Sequence, residues 1–503
     1  MSKTGTAALR SGSKAHKRAG PIDPYRIFFV VGVLMLVLTI FMLPPMLADL
    51  VVSNEDWKVF AGSALITGFA GLMLVLISRD AWSERVRLKE GFLLTVSSWL
   101  AISLFGSIPY LFLQEPGMSF ADAWFETVSG LTTTGSTVLS GLDGMAPGIL
   151  LWRSLTQWIG GVGIVVMALI MLPFLKVGGM QLFQTESSDR SDKIVPQARQ
   201  FIGFIAMTYV VLTILCALAY KIAGMRTFDA VNHALTTLST GGFSTHDASM
   251  GFFRQPAIHW LATLFMLLAS LPMVLYVRAV REVRLSVFRD QQVLGFMRIL
   301  FVVIAILTIW RVLAGGLPFL TALRQVSFNV VGIVSTTGYA LGDFTTWGTL
   351  AIAGFFALMF LGGCTGSTAG GMKIFRLQVM MLATQAYLKK LASPHRVVTI
   401  AYEGRAITQE IAMSVFAFVS ALFATVLLFS VLIAALGVDF TTAFSAAVTA
   451  VTNVGPGIGK IIGPAGNFSS LPDAAKILLG IAMLLGRLEF FTVLVVLSPE
   501  FWK

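Results

Sequence analysis

The stretch Arg26–Leu47 carries no charge beyond its first residue, and Ile407–Leu436 is almost as apolar. A hydrocarbon core of roughly 30 Å is crossed by about 20 such residues in a helix. Lipid offers no hydrogen bonds to the backbone, so spanning segments are helices or closed barrels. The reading is an all-α membrane protein. Composition agrees, with 56% hydrophobic and 12% charged residues among 503, where a soluble domain carries about 25% charged. Ten spans are expected, at 26–48, 59–78, 91–113, 148–175, 199–223, 256–280, 292–314, 349–385 (interrupted), 407–436 and 474–498. The first runs too long for a cleavable signal peptide and lacks a small-residue cleavage site, so it is read as a retained span.

Loop charges give the orientation, because cytoplasmic loops carry excess Lys and Arg. Residues 1–25 form a polar basic tail with Lys3, Arg10, Lys14, Lys17 and Arg18. The same side receives Arg79, Arg85, Arg87 and Lys89, then Arg278, Arg281, Arg284 and Arg289, then Lys389, Lys390, Arg396 and Arg405. The loop 114–147 has no basic residue and 437–472 only Lys460. Both termini are therefore expected in the cytoplasm. The net charge of +11 reads as topology and contact with lipid head groups, not as nucleic-acid binding.

The far-side loops contain a fourfold repeat. Aligned on one glycine, they read DAWFETVSGLTTTG (122–135), DAVNHALTTLSTGG (229–242), QVSFNVVGIVSTTG (325–338) and TAFSAAVTAVTNVG (442–455). Position 8 is always small (Ser129, Thr236, Gly332, Thr449), position 12 is Thr133, Thr240, Thr336 or Asn453, and position 14 is Gly135, Gly242, Gly338 or Gly455. Each segment lies between two spans. The expected architecture is four pseudo-symmetric helix–pore-loop–helix repeats (91–175, 199–282, 292–390, 407–503) around one pore, plus an extra N-terminal helix pair at 26–90. Ten helical residues cover about 15 Å, so each half-helix penetrates only partway, with its negative dipole end inward. The chain must then turn back, and unpaired backbone is tolerated at that depth only where it lines a cavity or is buried in protein. Glycine permits the turn. Four such turns can offer carbonyl oxygens in place of an ion's water. Asp122, Asp229 and Asp439 begin the half-helices and read as caps.

Two further features stand out. Five glycines fall within Gly362–Gly371, which should unwind the segment 349–385. From the residues alone, this is either a movable obstruction or a static kink. Arg487 lies within the last span, where a charge needs a cavity or a partner. Glu489, two residues on, is poorly placed to supply one. Cys216 and Cys364 have neither disulfide nor metal-ligand spacing. No HExxH, GxSxG or Walker-type motif occurs. Leu341-Gly342-Asp343 is a weak hint of an intramembrane aspartyl protease, and no nucleophile, base and metal cluster supports an enzyme.

At Thr132–Thr137 (TTTGST), Ser239–Ser244 (STGGFS), Ser335–Ala340 (STTGYA) and Thr452–Gly457 (TNVGPG), the chain resembles the Trk/Ktr/HKT superfamily of cation transporters, and most its TrkH branch. The stretches 362–373 (GGCTGSTAGGMK) and 486–497 (GRLEFFTVLVVL) match as well. The resemblance implies a potassium uptake subunit of the bacterial inner membrane. It implies a homodimer with one pore per protomer and a cytosolic TrkA-type nucleotide-binding regulator. The chain has no GxGxxG of its own, so nucleotide control would come from that partner. By the same match, the potassium-selecting residues are Thr133, Thr134 and Gly135; Thr240, Gly241 and Gly242; Thr336, Thr337 and Gly338; and Asn453, Val454 and Gly455. The fourth group departs from the Thr-Gly pattern. Gly362, Gly363, Gly366, Gly370, Gly371 and Arg487 are implied to form the gate. Passive flow and sodium- or proton-coupled symport both remain open. No cofactor is expected besides K+ as the transported ion.

Overall fold

The computed structural model describes residues 22–81, 87–113, 115, 117–171, 194–282, 290–395, 397–402 and 405–502. Most of the basic tail, together with Arg85, Arg284, Arg289 and Arg396, lies outside the described residues. Helices α1 (Pro24–Phe41), α2 (Leu43–Val51) and α3 (Trp57–Ser78) form the N-terminal group. The chain continues through α4 (Leu88–Gly106), α5 (Ile108–Leu111), α6 (Phe120–Leu131), α7 (Pro147–Met171), α8 (Ile194–Ile222), α9 (Thr227–Leu238), α10 (Pro256–Ala269) and α11 (Met273–Glu282). Then come α12 (Gln291–Gly315), α13 (Phe319–Val334), α14 (Thr349–Leu358) and α15 (Ile374–Ala392). A two-stranded hairpin, β1 (Ala401–Tyr402) with β2 (Arg405–Ala406), precedes α16 (Gln409–Ala434), α17 (Phe440–Thr452), α18 (Asp473–Arg487), α19 (Phe491–Leu497) and α20 (Pro499–Trp502).

Polarity is arranged as lipid demands. Leu65, Phe69, Phe301, Leu313 and Val431 are exposed on the long helices, while Thr132, Thr133, Thr134, Thr240, Thr336 and Thr337 are fully buried. The four half-helices α6, α9, α13 and α17 are enclosed by the rest. In α6 every residue from Ala123 to Leu131 is buried. Small residues let the neighbours close in. A Cβ on Gly160 of α7 would stand 1.8 Å from the Leu131 carbonyl oxygen, and one on Gly486 of α18 would stand 2.0 Å from that of Val451. The N-terminal pair packs on the same principle, with Gly32 against Gly71. It is pinned to the rest by Arg26–Glu90 (3.3 Å) and by the Gly148 amide donating to Asp49 (2.7 Å).

Among the described residues, six helices are long and apolar enough to cross a membrane, and two bent pairs raise this to eight. Both bent pairs fall within segments expected as single spans and break them. The segment 256–280 turns by 91° between α10 and α11, and 474–498 turns by 109° between α18 and α19. Ser270–Pro272 makes the first bend, since proline cannot continue the hydrogen-bond ladder. At the second, Glu489 and Phe490 take φ of 58° and 45°. The segment 349–385 is broken as expected, but more widely, with no helix from Met359 to Lys373. The reading of Asp residues as caps holds for Asp439, whose carboxylate accepts from Thr442 N at 3.0 Å. At α6 the cap is Ser119, which accepts from Asp122 N at 3.1 Å. Asp229 lies inside the first turn of α9.

Candidate functional site

Each half-helix ends the same way. The amide at position 12 donates to the carbonyl at position 9: Thr133 to Gly130 (2.9 Å), Thr240 to Thr237 (3.0 Å), Thr336 to Ile333 (2.9 Å) and Asn453 to Ala450 (3.4 Å). The carbonyl at position 8 accepts from position 13 in three segments, Thr134 to Ser129, Gly241 to Thr236 and Val454 to Thr449. In the third it accepts from Gly338 at 2.9 Å. This is the Schellman termination, whose left-handed residue is usually glycine. Here Thr133, Thr240, Thr336 and Asn453 occupy it, at φ of 54°, 53°, 57° and 55°. For a β-branched residue that costs about 1–2 kcal/mol, and strain of this kind gathers at functional sites. Asn tolerates the conformation better, so the divergent fourth segment takes the same backbone path with less strain.

The position-14 glycines are also left-handed, at φ of 85°, 78°, 72° and 108° for Gly135, Gly242, Gly338 and Gly455. Each abuts the position-13 carbonyl of the next segment. A Cβ on Gly135 would lie 2.1 Å from Gly241 O, on Gly242 1.8 Å from Thr337 O, on Gly338 2.2 Å from Val454 O, and on Gly455 2.7 Å from Thr134 O. The fourth contact returns to the first segment, so the four turns close a ring. Twelve sequence-named residues thus come together from segments separated by up to several hundred positions.

The unwound stretch lies against this ring. Its neck is closed by the Gly362 amide donating to Met372 O at 2.9 Å. Thr368 Oγ1 donates to Leu238 O at the end of α9 (3.1 Å) and to Ala269 O (3.2 Å). The Gly370 amide donates to Thr336 Oγ1 (2.6 Å), and a Cβ on Gly370 would stand 2.7 Å from Thr452 O. The α10–α11 break supplies further partners: Cys364 N donates to Ser270 O (2.9 Å) and Met273 N to Gly366 O (3.0 Å). Two interruptions therefore satisfy each other's backbone groups, as buried polar groups require. Arg487, in the last turn of α18 just before the break, donates through Nη2 to Thr368 O at 3.0 Å. Lys373 Nζ donates to Ala369 O. Glu489 pairs with Arg376 at 2.6 Å, not with Arg487.

The cation transport protein family TrkH matches residues 58–503. The chain belongs to the TrkH family. It is 49% identical over 94% of its length to the Trk system potassium uptake protein TrkI of Halomonas elongata, covering 96% of that protein. It is 36% identical to TrkH of Escherichia coli K12, covering 94% of this chain and 98% of that one. The crystal structure of the potassium transporter TrkH from Vibrio parahaemolyticus superposes with a TM-score of 0.88 at 33% identity, covering 96% of this chain and all of that one. These TrkH-family relatives are transport proteins, not enzymes. The Asp343 carboxylate is engaged in its own turn, accepting from the Thr345 amide (2.8 Å) and hydroxyl (2.6 Å). Among the described residues no group of three or more His, Cys, Asp or Glu is placed to hold a metal.

Sequence reasoning missed several residues behind the ring of this TrkH-family chain. Gln157 donates to Gly241 O (2.7 Å) and accepts from Phe243 N (3.0 Å). Beyond the turns, His246 reaches Asp143 at 2.5 Å and Asp229 at 3.5 Å, joining the loops that follow turns one and two. Burial opposes charge on His246, but the Asp229 and Asp143 carboxylates outweigh it and hold its pKa above the ordinary 6.5. A raised folded-state pKa stabilises fully below 6.5, and the contribution fades as pH rises through the raised value. Thermal unfolding of wild type and His246→Gln should therefore differ most in mild acid, by about 1 kcal/mol, and converge in alkali. A gap that is flat across pH would show the tie to be neutral.

Proposed function

We propose that the ring of four turns is the selectivity filter of a channel-like pore for potassium uptake, with four repeat units, 91–175, 199–282, 292–390 and 407–503, arranged around it. The observation that carries this reading is the closed contact of each position-14 glycine with the next turn's position-13 carbonyl. Such a ring concentrates backbone oxygens at one depth and fixes their spacing. Carbonyl oxygens at that depth replace an ion's hydration shell, and the negative ends of four half-helices favour a cation there. Thr133 Oγ1, buried and without a hydrogen-bond partner among the described residues, adds a free oxygen. The relatives named for potassium uptake supply the ion.

The loop 362–371 is the gate in this reading. It meets the ends of the second, third and fourth half-helices from one side, and Arg487 fastens it there. A cytosolic TrkA-type protein would shift the loop from the basic side, where both termini lie. The working unit would be a homodimer with a pore in each protomer, in a bacterial inner membrane. The test is a reversal-potential measurement on purified protein in planar bilayers under bi-ionic conditions. Potassium and rubidium should permeate better than sodium and lithium. Equal potassium and sodium permeability would overturn the proposal.

A further inference from the structure

Position 5 of the fourteen-residue segments is Glu126, His233, Asn329 and Ala446, four residues without common chemistry. The structure nevertheless gives that level of each half-helix one task. Glu126 Oε2 accepts from Val138 N at 2.9 Å, and both its oxygens accept from Thr137 Oγ1 at 2.9 and 3.0 Å. His233 Nε2 meets Ser244 Oγ at 2.9 Å. Asn329 accepts from Leu341 N (3.2 Å) and donates to Leu341 O (3.1 Å). In the fourth segment alanine offers nothing, and the adjacent Ser445 takes over. It accepts from Ile458 N at 3.2 Å and donates to Ile458 O at 3.1 Å. Val138, Leu341 and Ile458 each lie three residues after the position-14 glycine, and Thr137 and Ser244 lie two after it. Every turn is thus tied, just beyond its glycine, to the side of its own half-helix.

We propose that Glu126, His233, Asn329 and Ser445 are positioning residues for ion selection, a ring of braces that fixes the exit side of each turn. The inference rests on reading the four turns as a filter. Each turn begins at a left-handed position-12 residue and ends at a glycine free to take many conformations, so a second attachment is needed to fix its far side. A side chain on the half-helix supplies that attachment because the half-helix is itself enclosed and cannot follow. The first brace is the strongest. Its carboxylate is wholly buried and pairs with Arg153 Nε at 2.9 Å. Arg153 also donates through Nη2 to Thr137 Oγ1 (3.1 Å) and through Nη1 to Ser244 O (2.8 Å). One guanidinium therefore locks the exits of turns one and two together. Charge-assisted bonds of this geometry exceed neutral ones in strength.

The test compares Asn329→Ala, Ser445→Ala and Glu126→Gln with wild type in the same bilayer experiment. Protein amount, dimer peak and thermal unfolding are recorded for each. Asn329→Ala and Ser445→Ala leave no buried charge behind. They are expected to fold and to reduce the potassium-over-sodium permeability ratio about fivefold, the effect of the two hydrogen bonds each brace loses. Glu126→Gln removes a charge-assisted brace and should cost about tenfold. Ser445→Thr, which retains the hydroxyl that accepts from Ile458 N and donates to Ile458 O, should keep more of the wild-type ratio than Ser445→Ala. If folded Asn329→Ala and Ser445→Ala keep the wild-type ratio while their unfolding temperatures fall, the braces only stabilise, and the proposal is overturned. If wild type itself does not discriminate, the filter reading has failed instead.

Discussion

Gly135→Ser is expected to lower the potassium-over-sodium permeability ratio at least about tenfold, a loss of roughly 1.4 kcal/mol of discrimination. Two costs act at once. Gly135 sits at φ of 85°, where an L side chain costs about 1–2 kcal/mol. Its Cβ would also stand 2.1 Å from the Gly241 carbonyl oxygen, far inside contact distance, so that carbonyl must move. Gly241 O is itself held by Gln157, and its turn bears on Thr337 through Gly242. A displacement at turn one therefore passes to turns two and three, and ion-sized spacing is lost beyond the substituted residue. Gly144→Ala is the control, since a Cβ there meets nothing within 4 Å. Bi-ionic reversal potentials of both variants decide the matter. A Gly135→Ser protein that retains wild-type discrimination would remove the ring from ion selection.

The second large effect is expected at the loop. Arg487 holds Thr368 O by a buried hydrogen bond from a charged group, worth roughly 1.5–3 kcal/mol. If that bond exists only in the obstructed state, Arg487→Ala should raise unregulated potassium flux about ten- to a hundredfold. Shortening the loop should act in the same direction. The Gly362–Met372 hydrogen bond brings the two ends together, so residues between them can be removed without stretching the chain. Liposome uptake of rubidium, with no regulator present, measures both variants. Unchanged flux in well-folded protein would make the loop a structural kink. The Gly370–Thr336 bond gives a third outcome meaning. Flux that rises while selectivity collapses would show that the loop supports turn three and that the obstruction lies elsewhere.

Segment identity was legible because it is local. Apolar length marks a span whatever surrounds it, and four glycines at one register mark four turns, since few other residues take φ near 80°. The sequence also kept Glu489 from Arg487 by assuming a continuous helix, whereas the helix ends at Arg487 and Glu489 turns to Arg376. The two bends were not legible. A helix in lipid can be apolar on all sides, so a bend at Ser270–Pro272 or Leu488–Phe490 leaves no mark in hydropathy. Threonine in a left-handed cap was not legible either, as its own preference points the other way.

By itself the sequence determined that the chain enters a membrane, where its half-helices end, and which residues carry the turns. Only the tertiary structure decided that each turn's glycine meets the next turn's carbonyl, and that Glu126, Asn329 and Ser445 do one job with different side chains. It also decided that Arg153 joins two turns and that Arg376 takes Glu489. The reason is physical. Propensity and hydropathy report a segment's exchange with its solvent, whereas a seam or a brace is a distance between segments far apart in the chain. Such a distance is set only when the whole bundle packs.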